Sequence, residues 1–303
     1  MATHGAALDA GEPTEAELLA QVRRLEIHAR RLASTTLAGD YRSVFRGSGI
    51  EFAEAREYTP GDDVRLIDWN VTARLGVPWV KQFVEEREAP VICAVDVSAS
   101  QRVTRSPHGR IAAAAELTAL LAFAAAYQHD RTGLLTFTDR IERFVPPARG
   151  TKHVLRVVRE VLRGAHDGTG TSLAAACDYL SRVLRRRSIV FLISDFLDHD
   201  YEQSLRTLAR RHEVIALPLL DPRDRLLPDL GIVEFEDAES GARVLVDTGD
   251  AAFRARYVAA AEERARTRTR ILSAAGVDEV PIRLDADLVA PLTAYFRLRA
   301  SRR

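Results

Sequence analysis

From residue 90 onward the chain alternates short, wholly apolar runs with longer segments of helical period. Val91-Ile-Cys-Ala-Val95, Gly133-Leu-Leu-Thr-Phe137, Ile189-Val-Phe-Leu-Ile193 and Val214-Ile-Ala-Leu217 are rich in β-branched residues and show no polar alternation. That is the pattern of strands covered on both faces. We read strands over 90–97, 131–137, 188–194 and 213–219, with a short edge strand over 141–145. Helices are predicted over 108–127, 151–164, 171–186 and 200–211. Strand–helix alternation of this kind predicts an α/β fold built on a doubly wound, mostly parallel sheet. Asp221-Pro222 and the stretch Leu226–Gly231 then lead into a strand pair, 231–236 and 243–247. A long arginine-rich helix over about 250–275, a strand near 280–284 and a helix over 286–301 close the chain.

The first 89 residues read differently. Residues 1–12 show no periodicity and are expected to be a disordered tail. Pro13-Thr14 opens a helix to about Ser34, whose apolar face is Leu18, Leu19, Val22, Leu25, Ile27 and Leu32. A glycine-punctuated loop from Gly39 enters an extended segment, and the stretch from Pro78 alternates as a strand or hairpin arm. Between them, residues 56–74 are dense in polar groups. Pro60-Gly61 signals a turn that Asp62 and Asp63 could close, and Asp68-Trp69 and Arg74 follow. This motif reads either as ion pairs and N-caps pinning an extension or as a partner-docking surface. The first is favoured, because Arg and Asp in near balance more often pair than catalyse. The expected organisation is thus a tail over 1–12, a helix with an extension over 13–89, and the doubly wound domain over 90–303.

Composition narrows the function classes. Forty-three basic residues balance 43 acidic ones, so no overall field draws the chain to nucleic acid or an anionic membrane. No basic, aromatic-studded platform for single strands is visible either. Cys93 and Cys177 fall in a predicted strand and helix, which makes them core residues rather than a disulfide framework or zinc site. The N-terminus lacks a basic-then-apolar leader, and the apolar helix Ile111–Tyr127 is interrupted by Glu116 and short for a bilayer. The expectation is a cytoplasmic protein without a membrane span.

Candidate chemistry sits at the ends of the apolar runs, where open α/β sheets place their ligands. The first run ends in Asp96-Val-Ser98-Ala-Ser100. Gly168-Thr-Gly-Thr171 brings a threonine to a predicted helix start, and the third run ends in Ser194-Asp195. Each has a plain alternative: a polar turn for the first, an N-cap by Thr171 or Ser172 for the second, a turn or cap for Asp195. At successive strand ends of one sheet, however, Asp96, Ser98, Ser100, Thr171 and Asp195 would share one crevice. Such hard oxygen donors, with no Cys or His among them, suit Mg²⁺ (or Mn²⁺ or Ca²⁺) better than zinc or copper.

That constellation resembles the metal-ion-dependent adhesion site of von Willebrand factor A domains, in the same order along the chain. The wider sequence resembles the domain-of-unknown-function fifty-eight family, bacterial proteins with a von Willebrand factor A-like domain. The resemblance runs through Tyr41-Arg-Ser43, Gly49-Ile-Glu-Phe52, Arg56-Glu-Tyr58, Pro60-Gly-Asp-Asp63, Ile67-Asp-Trp69, Thr72-Ala-Arg74 and Val80-Lys81. It continues in Asp96–Ser100, Ser194-Asp-Phe196, Ala209-Arg-Arg-His212, Leu227-Pro228 and Val246-Asp-Thr248. It implies a cation held directly by Ser98, Ser100 and, in one state, Thr171, with Asp96 and Asp195 acting largely through water. One position would stay open for a partner's carboxylate. It also implies a non-enzymatic adaptor that works with a MoxR-type AAA+ ATPase, or with other von Willebrand factor A proteins, in chaperone-like assembly. Many members carry membrane helices; this chain is similar to the short type without them. The rival reading is a Mg²⁺-dependent phosphohydrolase with Asp96 as nucleophile. It lacks the usual second aspartate, since position 98 is serine, and no P-loop or Gly-x-Ser-x-Gly element is present. The histidines show no ligand spacing; His28, His129, His153 and His212 are expected to be surface or capping residues.

Overall fold

The computed structural model describes residues 15–33, 49–86, 89–102, 109–163, 168 and 170–301. The expected tail over 1–12 and the loop from Gly39 to residue 48 lie outside them. The chain divides into two compact units, Phe45–Ala89 and the remainder. Helix α1, Glu15–Leu32, belongs to the larger unit rather than to the extension with which the sequence grouped it. Its buried stripe of Leu18, Val22, Ala29 and Ala33 explains the attachment.

In the smaller unit β1, Gly49–Glu57, pairs antiparallel with β2, Trp79–Glu86, from Gly49↔Glu86 to Glu57↔Trp79, with a bulge between Phe52 and Glu54. Between the strands lie a 3₁₀ turn, Val64–Leu66, and helix α2, Trp69–Leu75. The dense polar motif builds this connection. Asp62 grips the Arg56 guanidinium with both oxygens (2.6 and 2.8 Å) and also accepts from the Thr59 amide. Asp63 caps the 3₁₀ turn and Asp68 caps α2, satisfying helix-start N–H groups that would otherwise lack partners. Gly76, at φ +75°, ends α2 in the left-handed region.

The larger unit continues with β3 (Val91–Asp96), the single turn α3 (Ala99–Arg102), α4 (Arg110–Tyr127), β4 (Thr132–Phe137), β5 (Ile141–Ala148) and α5 (Thr151–Leu162). Then come α6 (Leu173–Val183), β6 (Ile189–Ser194), α7 (Glu202–Arg211) and β7 (Glu213–Leu220). The hairpin β8 (Ile232–Glu236) and β9 (Arg243–Asp247) follows, then α8 (Ala251–Ala274), β10 (Asp278–Glu279), β11 (Ile282–Arg283) and α9 (Ala290–Ser301). The last expected strand is broken into β10 and β11, both on β7, because Pro281 has no N–H for the ladder. Helix α9 starts later than read, at a cap made by Asp287, which accepts from the Val289 and Ala290 amides.

The sheet order is β5-β4-β3-β6-β7-β10. All neighbours run parallel except β4 and β5. Counted within this sheet the order is 3-2-1-4-5-6, the doubly wound arrangement, with an antiparallel edge strand longer than the one read from sequence. This is the α/β, doubly wound and mostly parallel sheet that the sequence led us to expect. Strands β3, β4 and β6 are buried throughout, as their unbroken apolar runs require. Helices α1, α4 and α5 pack together, while α6 and α7 close the opposite core with Cys177, Leu180, Leu205 and Leu208. Helix α4 is long and apolar enough to cross a bilayer by length and composition, despite Glu116, yet most of it is buried inside the unit. His212 is buried at the C-cap of α7, with Nδ1 accepting from the Ser188 amide. It is a capping residue, but one removed from the surface.

Candidate metal centre

In the doubly wound order the winding direction reverses between β3 and β6, so the loops leaving those strands part to either side and open a crevice. The two candidate aspartates stand there. Asp96 ends β3 and Asp195 follows β6; the register Val95↔Ile193 sets Asp96 level with Ser194 and Asp195 one residue beyond. Asp96 is 1% exposed. Its Oδ1 accepts from the Ser98 amide at 3.0 Å, and its Oδ2 accepts from the Ser194 hydroxyl at 2.7 Å and faces Gln101 Nε2 at 3.4 Å. The Ser98 and Ser100 hydroxyls lie 3.1 Å apart, and the Ser100 hydroxyl donates to Asp195 Oδ2 at 3.4 Å. Asp195 Oδ1 also accepts from the Leu197 amide, so the turn-closing role and the crevice role coexist in one side chain.

Thr171 arrives by a loop clamped between two strand ends. The Ser172 amide donates to the Thr138 carbonyl just beyond β4, and the Leu173 amide donates to Asp198 just beyond β6. Ser172, whose hydroxyl accepts from the Ala175 amide, is the N-cap of α6. Thr171 is therefore left outside the helix, with its hydroxyl donating to Glu239 Oε1 at 2.9 Å. Gly168 fixes the loop's approach: a Cβ there would lie 1.9 Å from Thr138 Oγ1, and its amide donates to Glu142 of β5. Asp96, Ser98, Ser100 and Asp195 thus form one bonded chain. Thr171 sits at the same end of the sheet, engaged with the hairpin.

The electrostatics are those of a crowded anionic cleft. Burial, with the Asp195 carboxylate adding to it, pushes Asp96 up to about 7. Burial also raises Asp195, against the pull of Arg110 and the Leu197 amide. Arg110, 6% exposed, opens α4; it donates to the Ser100 carbonyl at 3.2 Å and pairs with Asp224 at 2.5 Å. Burial likewise raises Glu239, with Asp195, Asp237 and Asp198 adding, while the Thr171 hydroxyl opposes the shift.

The donor set fits a hard divalent cation. Among the described residues no three His, Cys, Asp or Glu side chains gather for a metal. What gathers is two carboxylates with serine hydroxyls, a threonine at the rim, and the Gln101 carbonyl oxygen, buried without a hydrogen-bond partner. A buried acceptor without a donor is a state that a cation bound through oxygens relieves. Sequence reasoning missed Ser194, Gln101, Arg110 and Glu239. The first two adjoin residues already singled out, and Arg110 announces itself as a charge opening an apolar helix. Glu239 has no local signal at all.

The known proteins this chain is similar to can now be set beside that geometry. An uncharacterized protein of Mycobacterium tuberculosis is 35% identical over 292 residues, covering 95% of this chain and 92% of that protein. Among solved structures, the conserved hypothetical protein BatB from Bacteroides thetaiotaomicron covers 71% of this chain and 100% of its own, at 15% identity and a TM-score of 0.44. The SpRpn10 VWA domain covers 68% of this chain and 94% of its own, at 12% identity and a TM-score of 0.38. Residues 54–267 match the family described as "Protein of unknown function DUF58". That span and the mycobacterial relative together place the chain: it belongs to the DUF58 family.

Proposed function

We propose that this chain is a non-enzymatic docking protein whose crevice at the β3/β6 switch point holds a divalent cation, Mg²⁺ in the first instance. The observation that carries the reading is the hydrogen-bonded run of oxygens from Asp96 through Ser98 and Ser100 to Asp195, in which Asp96, Ser98 and Asp195 are buried. Bound there, the cation would supply a concentrated positive charge to which a partner's carboxylate can bind. The chain's own residues do the rest. Ser98 and Ser100 offer hydroxyls from one turn, and Asp96 orients that turn through the Ser98 amide. Ser194 holds Asp96 in place, and Arg110 ties down the Ser100 carbonyl. Thr171 stands at the rim.

The same contacts speak against an Asp96 nucleophile, because both of its oxygens are engaged by neighbours and the group is sealed from solvent. The partner we propose is a MoxR-type AAA+ ATPase, with the chain acting as its cytoplasmic adaptor in chaperone-like assembly; other von Willebrand factor A proteins are the alternative partners.

Isothermal titration of Mg²⁺ into wild type and Asp96→Ala tests the site, with binding expected in the first and lost in the second. Equal affinities refute it. A pull-down with a purified MoxR-type ATPase, with and without chelator, tests the partner. Capture that ignores the chelator refutes metal-dependent docking.

A further inference from the structure

The β8–β9 hairpin ends in a short acidic turn, and that turn reaches back to the crevice. Resting on the metal-site reading above, we propose that Glu239 is a built-in carboxylate ligand of the centre, occupying in cis the position a partner's carboxylate would take, so that docking displaces the hairpin tip.

Three observations carry this. First, the Thr171 hydroxyl donates to Glu239 Oε1 at 2.9 Å across 68 residues of sequence, and the second carboxylate oxygen stands over Gly170, 3.7 Å from where a Cβ would be. The carboxylate is thus laid along the loop that frames the crevice. Second, the tip is built to hold that pose. Asp237 Oδ1 accepts from the Glu239 amide (3.0 Å), the Ser240 amide (2.7 Å) and the Ser240 hydroxyl (2.8 Å), while Gly241 at φ +69° closes the turn. The base of the hairpin is fastened as firmly. The Thr248 hydroxyl donates to the Gly231 carbonyl and accepts from the Leu230 amide, and Arg254 binds the Thr248 and Gly249 carbonyls. Third, among the described residues no Arg, Lys or His pairs with the Glu239 carboxylate, which is met instead by the Thr171 hydroxyl.

The arm between base and tip has little to hold it down. Ile232 is 73% exposed and Leu245 72%. Lifting the tip therefore breaks few contacts, which suits a ligand meant to be exchanged for a stronger one.

The test uses the full chain with Mn²⁺ as probe, comparing wild type, Glu239→Gln, Glu239→Asp and Asp96→Ala. Affinity is read by calorimetry, and water access to the ion by water-proton relaxation. Glu239→Gln is expected to bind Mn²⁺ roughly tenfold more weakly. It should also show a larger relaxation enhancement, because water enters the vacated position, and added acetate should reduce that enhancement in the variant but not in wild type. Glu239→Asp, shorter by one methylene, should fall between. Equal affinity and equal relaxation in wild type and Glu239→Gln overturn Glu239 as a ligand while leaving the metal centre standing. No Mn²⁺ binding by wild type, or equal binding by Asp96→Ala, overturns the metal centre and the cis ligand with it. Glu239 is at an exposed turn, and matching circular dichroism melts would confirm that each variant is folded.

Discussion

Arg110→Met is the sharpest test of how the crevice is held together. The Arg110 side chain is 7% exposed, it pairs with Asp224, and its Nη1 donates to the Ser100 carbonyl. Asp195 and Asp221, each 4% exposed, also lie within its field. Methionine keeps the apolar stem and removes the charge, leaving these acids facing one another. Removing one partner of a fully buried pair costs about 3–5 kcal/mol. Because the Asp224 side chain retains 37% exposure, water takes up part of its charge and the low end applies. We therefore expect a loss of about 3 kcal/mol, including the hydrogen bond to Ser100. For a unit of this size that lowers the melting temperature by roughly 6–12 °C. Urea unfolding followed by far-UV circular dichroism, with calorimetry for the melting temperature, reads both quantities. Arg110→Lys should recover only part of the loss, since an ammonium cannot reach the Ser100 carbonyl and Asp224 together as a planar fork does. A loss below about 1 kcal/mol, the level of a surface ion pair, would show that the guanidinium does not neutralise this cleft.

Three further outcomes are expected. In Gly168→Ala the new methyl meets Thr138 Oγ1, so the loop carrying Thr171 must move. Stability should fall by about 1–3 kcal/mol and Mg²⁺ affinity with it; unchanged melts and titrations would refute the clamp. Burial pushes both the Cys93 and the Cys177 thiol up to about 12, so neither should react with a thiol reagent at pH 8 until the fold opens. Rapid labelling of the native protein would contradict that burial. Burial holds the His212 imidazole below its ordinary range, with Arg211 and Arg187 adding, so the unfolded chain takes up the proton first as pH falls. Its contribution is complete above about 6.5 and declines as pH drops from there through the folded pKa. Urea midpoints between pH 8 and pH 5 should show this decline, and His212→Gln should flatten it.

Much of this protein is written locally. Unbroken apolar runs such as Ile189–Ile193 admit little but a strand covered on both faces, and the helical period between them requires crossovers, so the doubly wound sheet was legible before any coordinate. The Asp96-x-Ser98-x-Ser100 turn is likewise local, because the Ser98 amide and both hydroxyls lie within five residues. So are the caps by Asp63, Asp68 and Asp250, each of which satisfies N–H groups two or three residues on.

What the tertiary structure alone decided is everything that depends on where the loops meet. The Ser194 hydroxyl reaches Asp96 across 98 residues, Arg110 reaches Asp224 across 114, and Thr171 turns to Glu239 across 68. The sequence favoured neither Thr171 nor Ser172 as the cap of α6; the fold assigned it to Ser172 and freed Thr171 for the hairpin. It could mark α4 as apolar but not show what would cover it, and packing in the core answered that. The physical reason is common to all of these. Periodicity reports which face of an element avoids water, a property each segment carries in its own residues. Hydrogen bonds and charge pairs at a switch point form between segments that no pattern relates, and only the assembled sheet brings them within reach.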